Sequence, residues 1–153
     1  MKARWVFLAA FALVFYSSGA AFIESFVNYP SWPLIGRAEF TSFHRFIAPR
    51  ILTFLVAPML LGTVFTVLLL WFRPSAIPVR AVWLAIALQA IVWTSTAAIQ
   101  VPIQVELSTN GLSVPLIERL MTTNLWLRRI PYAACAFLFF WMASRALRHS
   151  SDA

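Results

Sequence analysis

Gln89–Glu106, QAIVWTSTAAIQVPIQVE, decides how the chain is read. Gln89, Trp93, Thr96, Gln100 and Gln104 form a polar stripe at helical spacing, while Leu88, Ile91, Val92 and Ile99 cover the other sides. Hydrocarbon offers those groups no hydrogen-bond partner, so the stripe must face protein or water. Pro102 removes a backbone donor and frees a carbonyl about one turn earlier, which predicts irregular backbone at the end of this helix.

The surrounding chain is lipid-compatible. Of 153 residues, 61% are hydrophobic and 11% charged, and the mean hydropathy is +0.81. That composition excludes an ordinary soluble domain and predicts one transmembrane domain over 1–153, with the bilayer as solvent. The net charge of +7 comes from 12 basic and 5 acidic residues. No basic run interleaved with aromatics accompanies it, so the charge reports topology, and no nucleic-acid partner is expected. Cys135 is the lone cysteine, inside an apolar run. It excludes an internal disulfide and a Cys-x-x-Cys pair, and reads as a small buried hydrophobe.

Four spans follow from the apolar runs, at about 5–27, 46–72, 79–104 and 130–148. Lys2 and Arg4 ahead of Trp5, with Ser18 and Ala20 further on, imitate an export signal. The apolar character continues to Val27, however, so the segment reads as an uncleaved first helix. Pro30 and Pro33 are expected to break the chain after it, with Tyr29 and Trp32 at headgroup level. Pro49 is expected to divide helix two into an interfacial section and a span, and Pro58 to kink the span. After Gln104, the cluster Glu106, Ser108, Thr109, Asn110 and Gly111 reads as a turn. Ser113 then caps a short amphipathic helix reaching about Thr122. The predicted fold class is all-α: an integral membrane four-helix bundle with a short interfacial helix between helices three and four. No internal repeat is evident.

Four spans put both termini on one side. Lys2, Arg4, Arg73, Arg80, Arg145 and Arg148 share that side with Asp152; Arg37, Arg45, Arg50, Arg119, Arg128 and Arg129 share the other with Glu24, Glu39, Glu106 and Glu118. The basic counts are equal. Cytoplasmic termini in a bacterial inner membrane are favoured because the basic residues there are unpaired and their loop is short. Six arginines beside four carboxylates on the other face predict a paired, partly buried network, with headgroup anchoring as the alternative.

Together these features predict a polar pocket at the noncytoplasmic end, roofed by the short helix. Candidate catalytic residues are Glu24 and His44, to move a proton, and Arg45, to stabilise a developing anion. Candidate ligand-binding residues are Asn28, Arg50, Trp93, Thr96, Gln100, Gln104, Glu106, Asn124 and Arg128. The bland alternative is a satisfied hydrogen-bond core that fixes helix register. No metal site is expected, because the Glu-x-x-His pairs of a four-helix di-metal centre are missing. A haem on His44 alone stands beside a purely structural histidine, and no cofactor is identified. Nucleophile–base pairs and glycine-rich phosphate loops are also missing.

Helix three ends in Gln100, Val101, Pro102, Ile103 and Gln104, with Leu107 after it, and Trp126 and Arg128 lead into the last helix. With the overall size, these residues make the second half of the chain resemble the small four-span membrane proteins grouped with the anthrone oxygenases. Those proteins tend to show Asn-x-Pro-x-Asn where this chain has Gln-x-Pro-x-Gln. The resemblance implies cofactor-independent oxygenation of polycyclic phenolic substrates. Two classes of function therefore stand side by side. One is a pocket for a small hydrophobic or aromatic ligand, as in an oxygenase-like oxidoreductase. The other is a non-catalytic accessory or structural subunit that docks a membrane protein partner or a second copy of itself.

Overall fold

Hydropathy and helix propensity act together through most of the chain, and the result among the described residues is helix without strand. The computed structural model describes residues 2–151; Asp152, counted above with the terminal side, lies outside the described residues. Four continuous helical stretches make the fold: α1 (Lys2–Leu34), α2 (Arg37–Phe72), α3 (Val79–Asn110) and α4 (Val114–Arg148). All four are long and apolar enough to cross a membrane. At 32 to 36 residues they run about 48–54 Å, against about 30 Å of hydrocarbon, so their ends have length to spare.

Each helix contains one widened π turn, and each π turn ends just before a proline. The turns are Glu24–Asn28 before Pro30, Leu52–Val56 before Pro58, Thr96–Gln100 before Pro102, and Leu125–Arg129 before Pro131. In each, the residue preceding the proline donates its N–H five residues back: Tyr29 to Glu24, Ala57 to Leu52, Val101 to Thr96 and Ile130 to Leu125. A proline ring clashes with the carbonyl four residues earlier, and widening the turn moves that carbonyl aside. The helix then survives the proline.

This corrects several expected boundaries. Pro30 and Pro33 do not break α1, which continues through a short 3-10 turn to Leu34. Pro49 does not divide α2. The helix α3 passes Gln104 and ends at Asn110, where Gly111 takes φ 83 and donates to Leu107 O. Ser113 and Pro115 do open a helix, but segment 114–124 runs on through the π turn into α4 instead of standing as a separate short element. Sequence signals for breaks were read from prolines whose neighbours absorb them.

Packing follows from small residues and apolar stripes. The closest pairing joins α1 to the second half of α2, where a Cβ on Gly62 would come within 3.2 Å of Leu13 Cβ. Gly19, by contrast, is exposed and has open space beside it. Along the bundle, one apolar cluster around Phe7, Leu69, Val82 and Phe139 fills the end with the termini. A second, with Leu55, Met59, Val92 and Tyr132, lies beside the π turns. A third, with Trp32, Phe40, Leu107, Ile117 and Leu120, fills the opposite end. Between helices, Gln89 Nε2 donates to Thr66 Oγ1 at 3.0 Å and Trp93 Nε1 to Thr63 Oγ1 at 2.9 Å. These bonds tie α3 to α2.

Gly62→Val should lower stability by about 1–3 kcal/mol through overpacking, whereas Gly19→Ala should leave it within about 0.5 kcal/mol. Denaturant titration in detergent micelles checks both. Equal effects at the two glycines would contradict the packing described.

Candidate functional site

All four π turns contribute to the wall of one cavity of about 240 Å³. That volume is just below the roughly 300–1,000 Å³ of typical small-molecule sites. Glu24, Tyr29 and Trp32 reach it from α1; His44, Ile51 and Leu55 from α2; Thr96, Gln100, Gln104 and Ser108 from α3; Arg128 from α4. One wall is therefore polar and the α2 wall mainly apolar.

Its polar groups are held by bonds between side chains. On α1, Asn28 Nδ2 donates to both Glu24 oxygens at 2.8 Å, and Trp32 Nε1 donates to Asn28 Oδ1 at 3.1 Å. The four-residue spacing of Glu24, Asn28 and Trp32 stacks them on one side of the helix. Behind them, Asn124 Nδ2 donates to Ser25 Oγ at 2.6 Å and joins α4 to α1.

His44 is 1% exposed, with Phe40 stacked on its ring and Trp32 edge-on. Its Nε2 lies 2.7 Å from Gln104 Oε1 and its Nδ1 2.8 Å from Ser108 Oγ. Ser108 Oγ also lies 2.9 Å from Gln104 O. A neutral ring donates from Nε2 to Gln104 and accepts from the Ser108 hydroxyl at Nδ1. A protonated ring donates from both nitrogens while the hydroxyl turns to the Gln104 carbonyl. Rotating one hydroxyl thus satisfies either state. Both nitrogens being engaged, a haem on His44 would have to displace one of these bonds.

Two groups on the wall lack partners. Gln100 is 2% exposed; its Nε2 donates to Thr123 Oγ1 at 3.0 Å, and its Oε1 accepts nothing. Arg128 is 6% exposed, and its Nε has no hydrogen-bond acceptor. The guanidinium acts electrostatically on Glu24 and faces Tyr29, yet no direct ion pair joins it to Glu24 among the described residues. Both atoms have almost no accessible surface, so they are buried within the wall and do not open onto the cavity.

Not every candidate residue arrives here. Glu24, His44, Thr96, Gln100, Gln104 and Arg128 line the cavity. Asn28 and Asn124 hold it from behind. Arg45, Arg50 and Glu106 are exposed on outer faces; Arg50 folds back onto Phe46, 3.6 Å from the ring centroid. Trp93 is occupied by Thr63. The π turn at Thr96–Gln100 changes the helical phase, which sends Gln89 and Trp93 to one layer and Gln100 and Gln104 to another. The paired arginine network is not formed: Arg37, Arg45, Arg50 and Arg119 are exposed, and among the described residues no direct arginine–carboxylate ion pair occurs. Outward positions let those side chains reach water without a carboxylate. Tyr29, Trp32 and Ser108 were missed as site residues. The spacings Glu24–Asn28–Trp32 and Gln104–Ser108 carry the signal, once the helices are allowed past Pro30 and Pro102.

No protein-family model, curated protein or solved structure matches this chain. The geometry alone therefore bears on what the cavity does.

Replacing Gln104 with Leu should cost about 1–3 kcal/mol, because it leaves His44 Nε2 buried without a partner. Glu106→Gln and Arg50→Ala should stay within about 0.5 kcal/mol. Unfolding titrations of the three variants test this contrast.

Proposed function

We propose that the chain is an integral membrane protein whose cavity binds a small hydrophobic or aromatic ligand at the noncytoplasmic end of the bundle. The observation that carries this reading is a 240 Å³ cavity to which all four helices contribute and whose wall carries Glu24, His44, Gln100, Gln104 and Arg128. On this reading the termini are cytoplasmic, in a bacterial inner membrane. Segment 114–124, though continuous with α4, occupies the interfacial region, since α4 is longer than the hydrocarbon.

The resemblance to the anthrone oxygenases adds a chemical form of the same proposal, an oxygenase-like oxidoreductase. Proton movement in that form falls to Glu24 and His44, and Arg128 takes the anion-stabilising role first given to Arg45. His44 touches the occupant's surroundings through Gln104 and Ser108, so it acts as a positioning and proton-buffering group. The alternative, a non-catalytic accessory subunit, draws support from the outward Arg45, Arg50 and Glu106, which leave charged groups for a membrane protein partner.

Gently purified protein should carry a small lipophilic molecule near one-to-one by native mass spectrometry, and the Gln100→Leu, Gln104→Leu double variant should lose it. A stoichiometric partner subunit, with no retained small molecule, would sink the pocket reading and favour the accessory one.

A further inference from the structure

The cavity is closed along the bundle axis and open on one flank. Toward the end opposite the termini it is capped by Trp32, Phe40, Leu107, Ile117 and Leu120, none of them more than 1% exposed. Toward the termini it meets Leu55, Met59, Val92 and Tyr132, each at most 4% exposed. The wall residues supplied by α1 and α4, namely Glu24, Tyr29, Trp32 and Arg128, are all buried. Leu52, Val101 and Val105 differ: they line the cavity, yet they are 59%, 50% and 59% exposed on the outside of the bundle. No other lining residue is exposed. All three belong to α2 and α3, so the opening lies between those helices.

Two prolines account for its position. The chief contacts of α2 with α3 join Arg37–Ile51 to Val101–Asn110 and Ala57–Phe72 to Val79–Ser95, so the pair is antiparallel and packs toward both ends. Side chains tie the same regions, His44 to Gln104 in the first and Trp93 to Thr63 in the second. Between the two ties lie the π turns Leu52–Val56 and Thr96–Gln100, set by Pro58 and Pro102. Widened turns disrupt the ridges and grooves through which regular helices interlock. The outer surface there is apolar, with Leu52, Phe54, Val101 and Val105 all exposed.

Resting on the ligand-binding reading above, we propose that the cavity is filled sideways from the bilayer, through the opening between the π turns of α2 and α3. Its ligand is then drawn from the hydrocarbon phase and not from water. The occupant is a lipid-soluble small molecule, because a volume of about 240 Å³ does not admit a partner's helix and the exposed side chains at the entrance are apolar. Its apolar part rests against Ile51, Leu52 and Leu55 of α2. Arg50 and Glu106, exposed beside Leu52 and Val105, set the entrance just inside headgroup level.

Thr96 lines the cavity, so a Thr96→Cys thiol reports access to it. The full chain carrying that substitution, in nanodiscs, is treated with N-phenylmaleimide, which dissolves in the bilayer, or with N-(4-sulfophenyl)maleimide, which does not. Peptide mass spectrometry reads labelling at the new thiol, with buried Cys135 as internal control; the denatured chain should label with both reagents. In the folded chain the uncharged reagent is expected to react about 100-fold faster, because a fixed charge is costly in hydrocarbon. Adding Val105→Trp should slow it about tenfold by obstructing the entrance, while Val105→Ala should not slow it and Ile117→Ala, which thins the cap, should leave the rate within about twofold. Equal rates for the two reagents, or acceleration by Ile117→Ala with no effect of Val105→Trp, would put the entrance on the water side and overturn the lateral route while the ligand-binding reading stands. Labelling by neither reagent would mean a shut cavity and would also overturn it. If purified protein retains no small molecule by native mass spectrometry, the ligand-binding reading falls even where labelling shows the opening.

Discussion

A proline inside an apolar helix is the constraint on which this structure turns. It supplies no N–H and collides with the carbonyl four residues behind it, and a bilayer has no water to take up what it releases. Each helix meets it at one proline, Pro30, Pro58, Pro102 or Pro131, by widening the preceding turn to a five-residue hydrogen bond, while Pro49 lies in regular α-helix. Freed carbonyls then draw donors from neighbouring helices. Tyr16 donates to Phe54 O, four residues before Pro58, at 2.9 Å. Arg129 donates to Ser25 O, five before Pro30, at 2.7 Å. The prolines thus help to bind the helices to one another while distorting each.

Where four distorted turns meet, close packing fails. The clusters centred on Met59 and on Trp32 are built from interlocking side chains, and the cavity lies among the π turns that adjoin them. An extra residue per turn shifts the phase of everything beyond it, so polar groups on one stripe are redirected to two places. Gln89 and Trp93 become interhelical ties; Gln100 and Gln104 become cavity wall. The same distortion that opens space also aims polar side chains into it.

Much of this was legible in the residues. Apolar runs give four long helices, and the spacings of Glu24 with Asn28 and of Gln100 with Gln104 place those pairs correctly on shared faces. Helix boundaries were not legible, because Pro30, Pro33 and Pro49 are equally compatible with a stop and with a strained continuation. Which arginine turns inward was also hidden. Arg45, Arg50 and Arg128 all sit beside apolar runs, and only the phase set by the π turns buries Arg128 while leaving the other two outside. That phase depends on hydrogen-bond geometry, which no periodicity count contains.

The two polar layers also differ in what they ask of their surroundings. Around Thr66, Gln89 and Cys135, donors meet acceptors across α2, α3 and α4, although Gln89 Oε1 is unpartnered; the void there is about 10 Å³. A space of that size holds one water at most. Gln100 and Arg128 line a space more than twenty times larger. A void of one water leaves a polar layer to hold the helices together; a cavity of about 240 Å³ leaves room for more. Size and access, more than polarity, separate the layer that holds the bundle together from the one that can receive something.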